Sequence, residues 1–120
     1  MSNPQSGQNA VPKRPNMRRS RRQSPKRSTR LKAFRNPMGL GPNIAVSVLD
    51  LSEGGIRLIL KESLAPKAEF EINLETSGSR PVKAIAQVVW SLPLADGNFC
   101  IGASFQKDLP YAILGMLASI

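Results

Sequence analysis

Ile44-Ala-Val-Ser-Val-Leu-Asp50-Leu-Ser-Glu-Gly-Gly55-Ile-Arg-Leu-Ile-Leu60 reads as two strands and the turn between them. Ile44, Val46 and Val48 alternate with Ala45, Ser47 and Leu49, the period of two expected of a strand with one buried face. Residues 50–55 carry turn chemistry, and Ile56, Leu58 and Leu60 then share one face of a second strand. Downstream, Phe70, Ile72 and Leu74 alternate with Glu71, Asn73 and Glu75, which predicts a strand with one wet face. Ser77-Gly78-Ser79 makes the next turn. Residues 82–90 form a longer strand with Val82, Ala84, Ala86, Val88 and Trp90 in register, and Asp96-Gly97 is a hairpin signal leading to Phe99, Ile101, Ala103 and Phe105. Short antiparallel strands at this spacing predict a mainly β domain, a small barrel or sandwich.

A helix closes the chain. Asp108-Leu-Pro110 opens it with a capping carboxylate and a first-turn proline, and Ile113, Leu114, Leu117 and Ile120 fall on one face. No charged residue follows Asp108, so two arrangements fit: a helix covered by its own domain, or one whose outer side meets a second copy in a homodimer.

Charge divides the 120 residues in two. Up to position 43 there are eleven Lys and Arg and no Asp or Glu; from 44 onward six bases face eight acids. A near-neutral domain thus carries a cationic arm, and such an arm suits an anionic partner. Residues 1–25 read as a disordered basic arm, poor in anything to bury, and residues 26–120 as the folded domain. The polar start and the lack of a long apolar run argue against a signal peptide or a membrane-spanning stretch, and the single Cys100 fits a reducing, cytoplasmic setting. The chain has no histidine, which removes the commonest general base and zinc ligand, and Glu69, Glu71 and Glu75 sit scattered on solvent-facing positions. No catalytic constellation is legible, no cofactor is called for, and the chain is expected not to be an enzyme. Gly39-Leu-Gly41 reads as a plain loop, and Cys100 as buried packing.

The turn at 50–55 resembles the hallmark of the PilZ domain family, D/N-x-S-x-x-G followed by an apolar strand, with Asp50, Ser52 and Gly55 at its fixed positions. Ala86-Gln-Val-Val-Trp90 and Ile101-Gly-Ala-Ser-Phe105 are similar to the family's closing strands. The resemblance implies a six-stranded antiparallel barrel with a C-terminal helix. It also implies a bacterial second-messenger module that binds cyclic di-GMP between the basic arm and the barrel.

Physical chemistry gives the motif two readings. A carboxylate at Asp50 can accept from a guanine's N1–H and amino group, Ser52 can reach a further polar edge, and Gly55 permits close approach. The other reading is a turn in which Asp50 and Ser52 satisfy nearby backbone N–H groups. The family's R-x-x-x-R motif has an imperfect match at Lys26-Arg-Ser-Thr-Arg30, and perfect spacings further out at Arg14/Arg18 and Arg18/Arg22. Reach does not choose, since twenty extended residues span roughly 66 Å. Leu31, Ala33 and Phe34 can pin the chain beside Arg27 and Arg30, so Lys26, Arg27 and Arg30 join Asp50, Ser52 and Gly55 as the expected ligand contacts. Trp90 suits either base stacking or core filling. The runner-up function is a degenerate module that binds no nucleotide and contacts an acidic protein or nucleic acid through its arm. In either case a separate effector protein is the expected recipient of any signal.

Overall fold

A computed structural model describes residues 21–119; Arg14, Arg18, Arg19 and most of the predicted arm lie outside the described residues, as does Ile120. The described chain runs β1 (Ser24–Pro25), β2 (Arg30–Phe34), β3 (Ala45–Leu51), β4 (Gly55–Leu60), β5 (Glu69–Glu75), β6 (Val82–Pro93), β7 (Phe99–Phe105), α1 (Tyr111–Leu117) and β8 (Ala118–Ser119). Six of these strands form one antiparallel sheet in the order β2-β5-β6-β7-β4-β3. Its edges β2 and β3 meet in a nearly closed barrel. At their junction Ile44 N–H donates to the Ala33 carbonyl at 2.8 Å, and Ala33 N–H to Asn43 Oδ1 at 3.0 Å. The expected mainly β barrel with one C-terminal helix is what forms.

Inward positions follow the predicted alternation on most strands. Ile56, Leu58 and Leu60 from β4, Phe70, Ile72 and Leu74 from β5, and Ile101 from β7 are all completely buried. Each such side chain contributes about 1.5–3 kcal/mol through the apolar surface it removes from water.

Two strands break the alternation at bulges. On β3 the pairing with β4 shifts between Ala45 and Ser47 and again between Val48 and Asp50, which leaves Val46 and Leu49 as extra residues. Both are exposed, so Val46 does not share the core face with Ile44 as period two predicts. On β6 the shift between Val88 and Trp90 leaves Val89 extra and exposed, and Trp90 lands on the outer face instead of in register with Val88. A bulge inserts one residue, and everything beyond it changes faces.

The other departures lie in loops and ends. Pro110 is itself the N-cap of α1, with φ −57° and ψ 145°, and no side chain caps the helix, so Asp108 does not play that part. Leu109 sets the entry: it is buried and its N–H donates to the Glu53 carbonyl at 2.8 Å, leaving Asp108 two residues short of the cap. Leu114 and Leu117 are buried on the barrel as expected, while Tyr111 is exposed. Glu71 is buried rather than wet, because the loop after β2 folds over it: a Cβ on Gly39 would collide with its carboxylate. Asn36 shapes that loop, its Oδ1 accepting from Met38 and Leu40 N–H at 3.0 and 3.2 Å. Cys100 is half-buried and paired in register with Leu92 and Ile59, not sunk in the core.

Gln23, Ser24 and Pro25, grouped with the arm on composition, are hydrogen-bonded to the domain. Gln23 and Leu51 exchange two backbone bonds at 2.6 and 2.8 Å, and β1 pairs with β8.

The bulge assignment has a direct test in stability. Leu58→Ala should lose about 2–5 kcal/mol in urea denaturation, as buried Leu truncations do. Val46→Ala should change stability by less than about 1 kcal/mol, because its side chain already faces solvent.

Candidate functional site

The β3–β4 turn is a closed hydrogen-bonded unit. Ser52 N–H donates to the Gly55 carbonyl at 2.9 Å, and Gly55 N–H donates back to Ser52 Oγ at 3.1 Å. Its flanks are fastened too, with Phe105 N–H on the Gly54 carbonyl at 2.9 Å and Leu109 N–H on that of Glu53. Gly55 has no room for a side chain, since a Cβ there would lie 2.5 Å from the Ala103 carbonyl oxygen. Of the two readings of the motif, Ser52 therefore follows the turn reading. It is 2% exposed and spends its hydroxyl on the backbone.

Asp50 does something else. The Leu49 bulge puts it opposite Arg57 on the outer face of the sheet. Arg57 Nε donates to Asp50 Oδ2 at 2.7 Å, with Nη2 donating to the same oxygen, while Arg22 Nη1 donates to Oδ1 at 3.0 Å. Each carboxylate oxygen thus holds one arginine. The hydrogen bond that Arg57 donates to Asp50, and then the charge of that carboxylate, raises the Arg57 pKa above the ordinary arginine value. Both guanidinium side chains are 44% exposed, so solvent screens these pairs and they orient the groups more than they stabilise the fold.

The same outer row continues across the sheet. Asp50 faces Arg57, Arg57 faces Gly102, and Gly102 faces Trp90. The Trp90 indole lies against Gly102, where any Cβ would overlap the ring. Beside it opens a small cleft of about 180 Å³, lined by Arg22, Ser52, Gly54, Gly55, Trp90 and Gly102 among others. It offers a cation, an aromatic ring and glycines that bring the backbone close, a combination suited to a flat polar ring bearing a nearby anion.

Lys26, Arg27 and Arg30 stand elsewhere. They line a second cleft of about 440 Å³ with Thr29, Leu31 and residues 46–48 of β3, and Asp50, Ser52 and Gly55 are not part of it. Of the residues expected from sequence, the structure brings Asp50, Ser52 and Gly55 to one turn, and it is Arg22 that reaches Asp50. Arg57 and Gly102 were not singled out. The signal for Arg57 was present in the motif strand Ile56-Arg-Leu58, but its outward aim depends on the bulge.

Among the described residues there is no cluster of His, Cys, Asp and Glu able to hold a metal, and no helix long and apolar enough to cross a membrane. A family model described as the PilZ domain matches residues 18–114. No curated protein and no solved structure matches the chain.

Steric contacts at the two glycines make separate predictions. Gly102→Ala should displace the indole and shift the emission of Trp90, the single tryptophan of the chain, with little change in circular dichroism. Gly55→Ala should instead lower stability by about 1–3 kcal/mol, because its obstacle is backbone.

Proposed function

Since the chain belongs to the PilZ domain family, whose members are binding modules, we propose that it is a receptor for cyclic di-GMP, with the dinucleotide held at the Asp50 turn. The observation that carries this reading is the Arg22–Asp50 pair at 3.0 Å, beside a cleft that also contains Ser52, Gly55 and Trp90. Guanine presents two adjacent donors, N1–H and the amino group, and Asp50 is the acceptor that suits them. Binding then exchanges partners: the base takes Asp50 Oδ1, and Arg22 moves from carboxylate to phosphate. One charge-assisted contact replaces another, so little is left unpaired. Arg57 keeps its hold on Oδ2 and acts as a positioning residue. Trp90 supplies a face for stacking.

The cationic contacts have two candidate sources. Proximity to Asp50 favours Arg22 over Lys26, Arg27 and Arg30, which flank the neighbouring cleft. In this reading the domain works in the bacterial cytoplasm and passes its ligand state to a separate effector protein, with α1 available for a second copy.

One observation favours the runner-up. Asp50 is already satisfied by two arginines of its own chain, which is what a degenerate module with a purely structural motif would also contain. Such a module would contact an acidic protein or nucleic acid through its basic arm.

Trp90 fluorescence and calorimetry, read during titration with cyclic di-GMP, separate the two. Saturable binding that excludes cyclic di-AMP, and that weakens roughly tenfold or more in Asp50→Ala and in Arg22→Ala, is the expected outcome. Failure to bind at high micromolar dinucleotide selects the degenerate module. Loss of binding in Arg27→Ala/Arg30→Ala with Arg22→Ala unaffected moves the cationic contacts to the second cleft.

A further inference from the structure

A third cleft, of about 670 Å³, lies at the β5–β6 turn and shares no residue with the Asp50 cleft. A pair of hydroxyls lines it: Ser28 Oγ and Thr76 Oγ1 lie 2.6 Å apart, with Thr76 6% exposed and Ser28 at the surface. Two hydroxyls joined by one hydrogen bond have two protons and use only one. Neither makes another side-chain bond among the described residues, so one O–H is left to donate. Over it, residues 76–79 form a tight turn in which Ser79 N–H donates to the Thr76 carbonyl at 3.1 Å and Gly78 sits at φ 80°, with open space above it. Ser77 and Ser79 bring further hydroxyls. Arg30 from β2 and Arg80 from the turn flank the cleft, and neither is ion-paired among the described residues.

We infer that this cleft is a phosphate-diester subsite, separate from the Asp50 turn and independent of what binds there. Two arginines and several hydroxyls line one cleft, which suits the several oxygens of a phosphate better than the two of a carboxylate. Charge sets the kind of phosphate. Glu75, opposite Arg30 in the β2–β5 register, also lines the cleft, so two guanidiniums and one carboxylate leave a single positive charge. A diester carries one negative charge and balances it; a dianionic monoester overfills it. The neighbouring turn gives Arg30 a fixed setting: Thr29 Oγ1 donates to the Leu117 carbonyl at 2.7 Å and Thr29 N–H to that of Lys26 at 3.0 Å.

The test is a series of amide ¹H–¹⁵N correlation spectra of the full chain titrated with diethyl phosphate, which carries neither base nor acyl chain. Saturable shifts confined to residues 76–80 and Arg30 are expected, with affinity at least tenfold weaker in Arg80→Ala and several-fold stronger in Glu75→Gln. Arg80 is exposed, so its replacement leaves the fold intact, and Arg80→Gln serves as a second variant. Shifts that do not saturate, that acetate reproduces at equal ionic strength, or that persist in both Arg80 variants overturn the inference. In the supported case, displacement of diethyl phosphate by cyclic di-GMP names the dinucleotide as the source of the diester, and its persistence names another. Trp90 emission reads the Asp50 cleft separately, so failure here is distinguishable from failure there.

Discussion

A sheet rolled into a barrel has one apolar face to bury, and a strand can change which residues face inward only by inserting an extra one. The outer surface of this domain depends on that constraint. Without the Leu49 bulge, Asp50 would share the face of Val48, which packs against the core, and a carboxylate would be driven among apolar side chains. With it, Leu51 is brought to the core while Asp50 turns out toward Arg57. The Val89 bulge does the same for Trp90 on β6. Two insertions on two non-adjacent strands thus bring a carboxylate, a guanidinium, a bare glycine and an indole into one outward row.

Electrostatics then organises what the backbone has placed. Asp50 is 8% exposed, and a carboxylate so nearly buried requires partners. It finds them in Arg57, fixed across the sheet, and Arg22, carried by the N-terminal chain. The two partners differ in kind. Arg57 belongs to a central strand paired on both sides, whereas Arg22 is held by the short run through Gln23 to Pro25. A group on such a short attachment is the one that can change partners with least disturbance to the core.

The same N-terminal run joins parts of the domain that are distant in sequence. It lies against Leu51 at the end of β3 and against Ala118–Ser119 beyond α1, and Lys26 N–H donates to the Leu117 carbonyl at 2.9 Å. The β3–β4 turn, the start of the described chain and its end therefore form one hydrogen-bonded corner of the molecule. Beyond that corner, the hydroxyls of Ser28 and Thr29 fasten the basic turn to Thr76 and Leu117, and its cations line two other clefts.

The sequence by itself determined five of the six barrel strands, the turn at 50–55, the terminal helix and most of the core, because period-two burial and turn chemistry are local properties; β2 and the β1–β8 pair emerged only from pairing with distant strands. Leu58, Phe70, Ile72 and Ile101 were legible for that reason. The motif at Asp50, Ser52 and Gly55 was legible as well, since it depends on residue type and spacing alone. Bulges were not: Val46, Leu49 and Val89 are as apolar as their neighbours, and only pairing with another strand shows which residue is surplus. Nor could the alternation on β5 reveal that a loop would bury Glu71. Which arginine pairs with Asp50 was decided by tertiary structure for the same reason. Equal spacings along a cationic chain are indistinguishable until hydrogen bonds from Gln23 to Leu51 set the register, and that register leaves Arg22, rather than Arg27 or Arg30, at the carboxylate of Asp50.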